Sequence, residues 1–487
     1  MAEKYNNIKD KAFNSVFWSA IERFSVQIGQ IVVELILARL LLPADYGVVA
    51  MISVFIAIAQ TFVDGGFANA LIQKKDCSNT DYSTAFYFNV IVGIFLYFCI
   101  YFSAPFLSEF YKEPLLEVVT KIVGLNIIIS SLSIVQRSRL IIELNFRLQA
   151  FISFVSILFS GTLSILGAYL GWGVWALVFQ VLSYNTINVI LLWYYGKWKP
   201  TVEFSKDSFV KLFGYGSKLL VSNLLQTIYL NLYTLVIGKK FSSLELGYYN
   251  RSLVISQVPS YKLTEIMSNA MFPIQCQLQD DKIKLRNSFI SYLRMSCYIV
   301  FPLSITIAIL ADSLVYVVLT DKWLDMAPLL AILSIAYMWT PVMVVNNNII
   351  KVSGRTDYFL KAEIIKKIIA VLILLTTLHF GLYAICVGSI LYSFVDILII
   401  TRFSVKVINL PLLVQLKQIL SILALTISMG LIIWITKSLF DSYFLQLFVG
   451  GFVGLTCYLL ISKLIGLPEF DYIFSYVTKF FNKWKKK

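Results

Sequence analysis

Apolar runs of about 18–25 residues recur along the whole chain, and this pattern removes most folds from consideration. The hydrocarbon core of a bilayer is roughly 30 Å thick. A helix needs about 20 residues to cross it, with every backbone N–H and C=O paired inside the segment. Divided at their polar breaks, the runs predict about fourteen spans: 14–36, 46–63, 83–104, 115–135, 149–169, 174–195, 210–236, 247–271, 287–310, 325–350, 360–379, 382–402, 417–436 and 443–462. The fold class is therefore all-α polytopic membrane protein. Composition agrees, since over 487 positions the 59% hydrophobic residues are more, and the 14% charged residues fewer, than a soluble domain carries.

The net charge of +14 raises the question of nucleic acid, but the basic residues are spread over short loops and form no single patch. Placed on alternate sides of the membrane, the loops put most Lys and Arg on the side of the N-terminus, as the positive-inside rule requires. Both termini are then cytoplasmic and no nucleic acid is implied. Cys77, Cys99, Cys276, Cys297, Cys386 and Cys457 stand alone, without a CxxC pair, and read as small apolar residues. The opening MAEKYNNIKDKAF shows no compact apolar core followed by a cleavage site, so the first span is expected to remain as an anchor. The final lysines, with Phe480, Phe481 and Trp484 among them, fit either an anionic membrane surface or a solvated end.

An internal repeat relates Phe17–Gly47 to Phe213–Gly247: each is a polar-lined helix, then basic residues, then Tyr-Gly or Gly-Tyr at the next helix. Six spans separate the copies, so both halves have the same orientation and a relating axis along the membrane normal. The expected organisation is an N-terminal six-helix lobe over 1–200, a second over 201–405, and a helix pair with a basic tail over 406–487. A cavity is expected between the lobes.

Polar residues inside the spans mark where that cavity would be lined. Arg23, Gln27, Gln30 and Glu34 follow i, i+4, i+7, i+11 on one face of the first span. In the seventh, Lys218 takes the place of Glu22, with Ser222, Gln226, Tyr229 and Tyr233 at helical spacing. The eighth carries Asn250, Gln257, Tyr261, Thr264, Glu265 and Ser268, with Arg251 and Lys262 along the edge. Arg presents a planar fork to phosphate oxygens and Lys a mobile point charge, so Arg23, Lys218, Arg251 and Lys262 suit an anionic cargo. The same residues also suit mutual neutralisation, for instance Lys262 with Glu265 at i, i+3, and both readings stand at this point. Lys121, Arg294 and Asp396 are weaker candidates, and His379 reads as structural.

Catalytic patterns are missing. The sequence contains neither GxxxxGK[ST] nor HExxH, and no metal-ligating cluster; its loops are too short for an acceptor-binding domain. An enzyme and a nucleotide-driven pump are both disfavoured, no cofactor is implied, and energy would come from an ion gradient or membrane potential, a partner, or mass action.

Several stretches resemble the Wzx-type polysaccharide flippases of the multidrug/oligosaccharidyl-lipid/polysaccharide exporter superfamily. They are RLLLPADYG (Arg39–Gly47), FVDGGFANALIQKKD (Phe62–Asp76), LNFR (Leu144–Arg147), GWGVWALVFQ (Gly171–Gln180), LGYYNRS (Leu246–Ser252), FPIQCQLQDD (Phe272–Asp281) and SGRTD (Ser353–Asp357). The resemblance implies a fourteen-helix exporter fold in a bacterial inner membrane, working by alternating access. It implies a cargo of oligosaccharide on a polyprenyl diphosphate, moved to the outer leaflet for surface polysaccharide synthesis, and neighbours such as a polysaccharide polymerase and sugar transferases. The fold also serves exporters of other small amphipathic compounds, a drug or a lipid, and remains open to that alternative. One departure is that Asn231, Leu232 and Tyr233 stand where family members often carry Asn-x-Asp, which argues against ion coupling at that point.

Overall fold

The computed structural model describes residues 26–74 and 76–484, with the side chains of Tyr215, Lys218, Thr356, Tyr476, Val477 and 479–484 outside the description. All regular structure among them is helical, and eleven helices are long and apolar enough to cross a membrane. The chain forms two compact units, Met1–Gly247 and Tyr248–Lys487.

In the first unit, α1 covers 26–40. It is followed by α2 (Pro43–Asp64), α3 (Phe67–Gln73), α4 (Asn79–Tyr111), α5 (Leu115–Ser131) and α6 (Ile134–Ile142). Then come α7 (Phe146–Tyr169), α8 (Val174–Gly196) and α9 (Lys206–Lys240). The element starts follow from side chains that satisfy the free N–H groups of a first turn. In PADYG, Pro43 opens α2, and the Asp45 carboxylate accepts from the Leu42 N–H at 2.9 Å. In SNTD, the Ser78 N–H donates to Asp81 at 2.8 Å while the Asp81 N–H donates back to the Ser78 hydroxyl at 3.2 Å. Lys74 reaches the same carboxylate, closing the polar turn before α4.

Two glycine sites set how this unit packs. Gly47 lies against the Ser243 carbonyl and Gly247 against the Pro43 carbonyl, so a Cβ at either would collide with main chain. These are the repeat-related Tyr-Gly and Gly-Tyr positions, and the lack of side chains is what lets the two backbones meet. Gly65 and Gly66 take left-handed conformations, φ 50° and 71°, and end α2 in a break. The Gly66 main chain then packs directly on Gly216 of α9.

The division falls within α10 (Ser243–Gln257), so the second unit begins at Tyr248; α10 passes through a π turn at Val258–Lys262 into α11 (Leu263–Gln277). Then follow α12 (Lys282–Ile309), α13 (Ala311–Leu319), α14 (Ala327–Tyr337), α15 (Thr340–Val352) and α16 (Thr356–Thr377). The last four are α17 (Leu382–Ile408), α18 (Leu412–Ser438), α19 (Tyr443–Ile465) and α20 (Pro468–Trp484). Asp281 caps α12, accepting from the Ile283 and Lys284 N–H groups at 3.1 and 3.0 Å. Those bonds and the Lys284 ammonium hold its carboxyl below the usual range. The core centres on Phe289, Tyr292, Phe301, Val345, Ile349 and Ile422.

The π turn carries Pro259, which lacks an N–H, while the Ser260 hydroxyl donates to the Ser256 carbonyl at 3.1 Å. An extra residue in a turn sets the following helix back by up to roughly 100°. The same-side relation of Arg251 and Lys262, read from an uninterrupted helix, does not carry across it.

Candidate functional site

A cavity of about 640 Å³ opens within the first unit, walled by α2, α3, α5, α6, α8 and α9. Half of its polar lining residues are amides, Gln60 from α2, Asn69 from α3, Asn126 from α5, Asn185 and Asn188 from α8 and Asn223 from α9, and four more are serines. Asp64 and Arg137 are the charged groups among the described lining residues, and both are exposed to the cavity. The α2 wall is a helical stripe of Ser53, Ala57, Gln60 and Asp64, ended by the glycine break, so Asp64 sits at the last turn. Arg137 comes from α6 in its own short segment after the Leu132–Ser133 kink.

Hydrogen bonds hold the wall in place. The Ser130 hydroxyl donates to Gln60 Oε1 at 2.9 Å, tying α5 to α2, and Gln60 also bonds the Asp64 carboxylate. Thr61 and Thr227 hydroxyls meet at 3.1 Å, tying α2 to α9. Asn126 Oδ1 is buried with no partner among the described residues, an acceptor left on the wall. Amides offer donor and acceptor together, as sugar hydroxyls do, so this surface suits a hydroxyl-rich molecule with one cation and one carboxylate for any charged substituent.

A second cavity of about 230 Å³ adjoins through Val181 and Asn185, which line both. Gln30 and Glu34 line it with Gln180 and Tyr184, so two residues of the first-span stripe meet polar partners here. Gln27 is exposed on α1, and Arg23 lies outside the described residues. Lys218 belongs to α9, but its side chain lies outside the description; Gln226, on the same helix, is exposed. Arg251 and Gln257 are half-buried on α10, while Lys262 and Glu265 are exposed near the π turn and no ion pair joins them.

The weaker candidates are engaged elsewhere. Lys121 pairs with Glu117 at 2.6 Å. Asp396 lies 3.3 Å from buried Lys366, which also pairs with Glu363 at 2.5 Å. Arg294 holds Glu469 at 2.5 and 3.0 Å and the Gln418 carbonyl at 2.6 Å. His379 is exposed at its turn.

Comparison with known proteins places the chain. The family model for "Polysaccharide biosynthesis protein" matches residues 36–328. Relatives include the teichuronic acid biosynthesis protein TuaB of Bacillus subtilis, 25% identical over 72% of this chain and 73% of its own. The lipopolysaccharide biosynthesis protein WzxC of Escherichia coli is also 25% identical, over 74% of each chain. Among solved structures, the lipid II flippase MurJ in an inward closed conformation superposes with TM-score 0.75 at 13% identity, covering 92% of this chain and 98% of its own. An inward-facing multidrug transporter of the MATE family gives 0.59 at 12% identity, over 83% and 95%. At these identities the structures speak for the fold alone, an all-helical one that this chain shares with both. With eleven helices among its described residues long and apolar enough to cross a membrane, the chain belongs to the polysaccharide biosynthesis protein family.

Proposed function

We propose that the protein carries an oligosaccharide on a polyprenyl diphosphate from the cytoplasmic to the outer leaflet by alternating access, as a step in surface polysaccharide synthesis. The observation that carries this reading is the amide wall of the first unit's cavity, since amides suit sugar hydroxyls in a chain that otherwise presents apolar surface. Relatives named for teichuronic acid, lipopolysaccharide and succinoglycan biosynthesis support a glycan cargo. The diphosphate, too costly to pass bare through hydrocarbon, is neutralised by Arg23, Lys218, Arg251 and Lys262, with Gln27, Gln30, Glu34, Gln226, Gln257 and Glu265 lining the path. Arg137 adds a cation that the spans did not reveal.

The architecture we infer has fourteen crossings with both ends cytoplasmic. It comprises six-helix repeats over 1–200 and 201–405 and a final pair with its tail over 406–487. Transferases that build the cargo and a polymerase that consumes it are the partners this activity requires. The test is to identify the lipid that accumulates when the gene is deleted. An unpolymerised oligosaccharide on polyprenyl diphosphate, held on the inner leaflet, is expected; accumulation of a bare polyprenyl phosphate would place the protein at another step.

A further inference from the structure

Helix α16 is 22 residues long, yet it carries Glu363, Lys366 and Lys367 in its middle. Ala362, Lys366 and Ala370 follow at i, i+4, i+8 and all three are buried, so the Lys366 ammonium is turned into the second unit. Glu363, one turn back, holds that ammonium at 2.5 Å, and Asp396 Oδ1 of α17 stands 3.3 Å away. Lys366 lies ten residues into α16 and Asp396 fourteen into α17, the latter long and apolar enough to cross a membrane. At 1.5 Å per residue these are depths of about 15–20 Å, near the middle of a bilayer.

Two carboxylates face one ammonium there. The fully ionised cluster holds one negative charge in excess, at the level where an uncompensated charge costs most. A staple between two helices needs a single pair; the second carboxyl requires another positive charge. The charges close enough to act on Asp396 are those of Lys366 and Glu363. On the helices packed against α16 and α17, Tyr337 closes α14, Lys351 is in the last turn of α15, and Lys417 and Lys437 lie near the two ends of α18. From α12 come Tyr298 and Arg294, the latter already on Glu469. Lys367 and Tyr392, beside the cluster on α16 and α17, are engaged in contacts of their own, and Arg402 is exposed. Asp396 is 6% exposed, and its Oδ1 receives no hydrogen bond among the described residues. That oxygen is a buried acceptor with room for a proton.

We propose that Glu363, Lys366 and Asp396 form a proton-binding site, holding one exchangeable proton between the two carboxyls at neutral pH. Uptake forms one O–H bond on a carboxylate oxygen and takes the cluster from one negative charge to zero; release returns the proton to water. Glu363, its side chain 28% exposed, is the route in, and Asp396, at 9%, the inner acceptor. Because the site joins α16 to α17 near mid-depth, its occupancy follows the proton gradient across the membrane, and the contact between the two helices changes with it. The site is independent of the cargo, so its failure and the failure of the flippase reading are separable.

The test is infrared spectroscopy of the full-length protein in vesicles of phosphatidylcholine and phosphatidylglycerol at neutral pH, where a protonated carboxyl has a carbonyl stretch separate from the carboxylate and amide bands. Relative to the wild type, Glu363→Gln and Asp396→Asn should each lose one carboxyl's intensity, because either leaves a balanced pair with Lys366. Lys366→Met, with two carboxyls and no ammonium, should gain one carboxyl's intensity, and the wild-type band should shift in D2O. If Lys366→Met does not fold, the two isosteric variants still decide. The same band in the wild type and both of those variants means that both carboxylates are ionised beside Lys366, which overturns the proposal. So does a wild-type band unmoved by D2O.

Discussion

Arg137 and Asp64 are the charged members of a cavity whose other polar described residues are amides and serines, and their chemistry sets separate expectations. A guanidinium hydrogen-bonded to a charged group contributes about 1.5–3 kcal/mol. Arg137→Gln should therefore slow transport of a phosphate-bearing or acidic cargo by about 10- to 100-fold, with normal protein in the membrane. Arg137→Lys should keep part of the rate, because charge survives while the fork is lost. Uptake into vesicles, normalised to reconstituted protein, measures both; equal rates for the wild type and the glutamine variant would remove Arg137 from the cargo path. The sequence pointed to one side of this region and missed the other, for a physical reason. Gln30 and Glu34 lie on a single helix, where the 3.6-residue period displays them as a stripe. Asn69, Asn126, Arg137, Asn185 and Asn223 come from different helices, so no local period announces them. Ser53, Gln60 and Asp64 do recur at helical spacing, which is the signal that could have found the wall.

At the scale of elements, starts were legible and interruptions were not. Pro43 with Asp45, Ser78 with Asp81, and Asp281 carry their function in adjacent residues, so the caps of α2, α4 and α12 follow from local chemistry. The π turn at Val258–Lys262 and the turn at Leu132–Ser133 depend on packing, and the expected spans 247–271 and 115–135 read through them. The C-terminal segment is too short and polar to register as a span, and the structure has it helical from Pro468 to Trp484. Close backbone contact gives the first test: Gly47→Val places side-chain atoms where the Ser243 carbonyl stands. Overpacking of this kind costs about 1–3 kcal/mol, so a lowered melting temperature in detergent is expected, while Gly451→Ala, with open space around it, should melt like the wild type. A second test addresses the Arg294–Glu469 pair, whose side chains are 17% and 6% exposed. Removing Glu469 alone strands a buried charge, at about 3–5 kcal/mol. Replacing both by apolar residues of similar volume should recover most of that loss, and an additive double-mutant cycle would show that the pair does not couple α20 to α12.

For the whole molecule, the hydrophobic pattern went furthest. Fourteen apolar runs were expected; among the described residues each of them is mostly helical, and eleven helices are spans by length and composition. What hydropathy does not encode is how helices group: the compact units divide after Gly247, with α9 packed on α2 in the first. The direction of crossing rests on the loop charges. Single cysteines beside Lys74 and Lys282, in a background without the native cysteines, should react with a membrane-impermeant reagent only from the cytoplasmic side. Labelling from outside at Lys74 would reject the topology. The central claim is movement without chemistry, and the most direct measurement is made on vesicles holding purified protein and a polyprenyl-diphosphate oligosaccharide in one leaflet. A non-permeant lectin or glycosidase added outside should gain access to the sugars at a rate that depends on the protein, while the lipid recovered at the end is chemically unchanged. Cleavage or elongation of that lipid, or access no faster than in empty vesicles, would contradict the account.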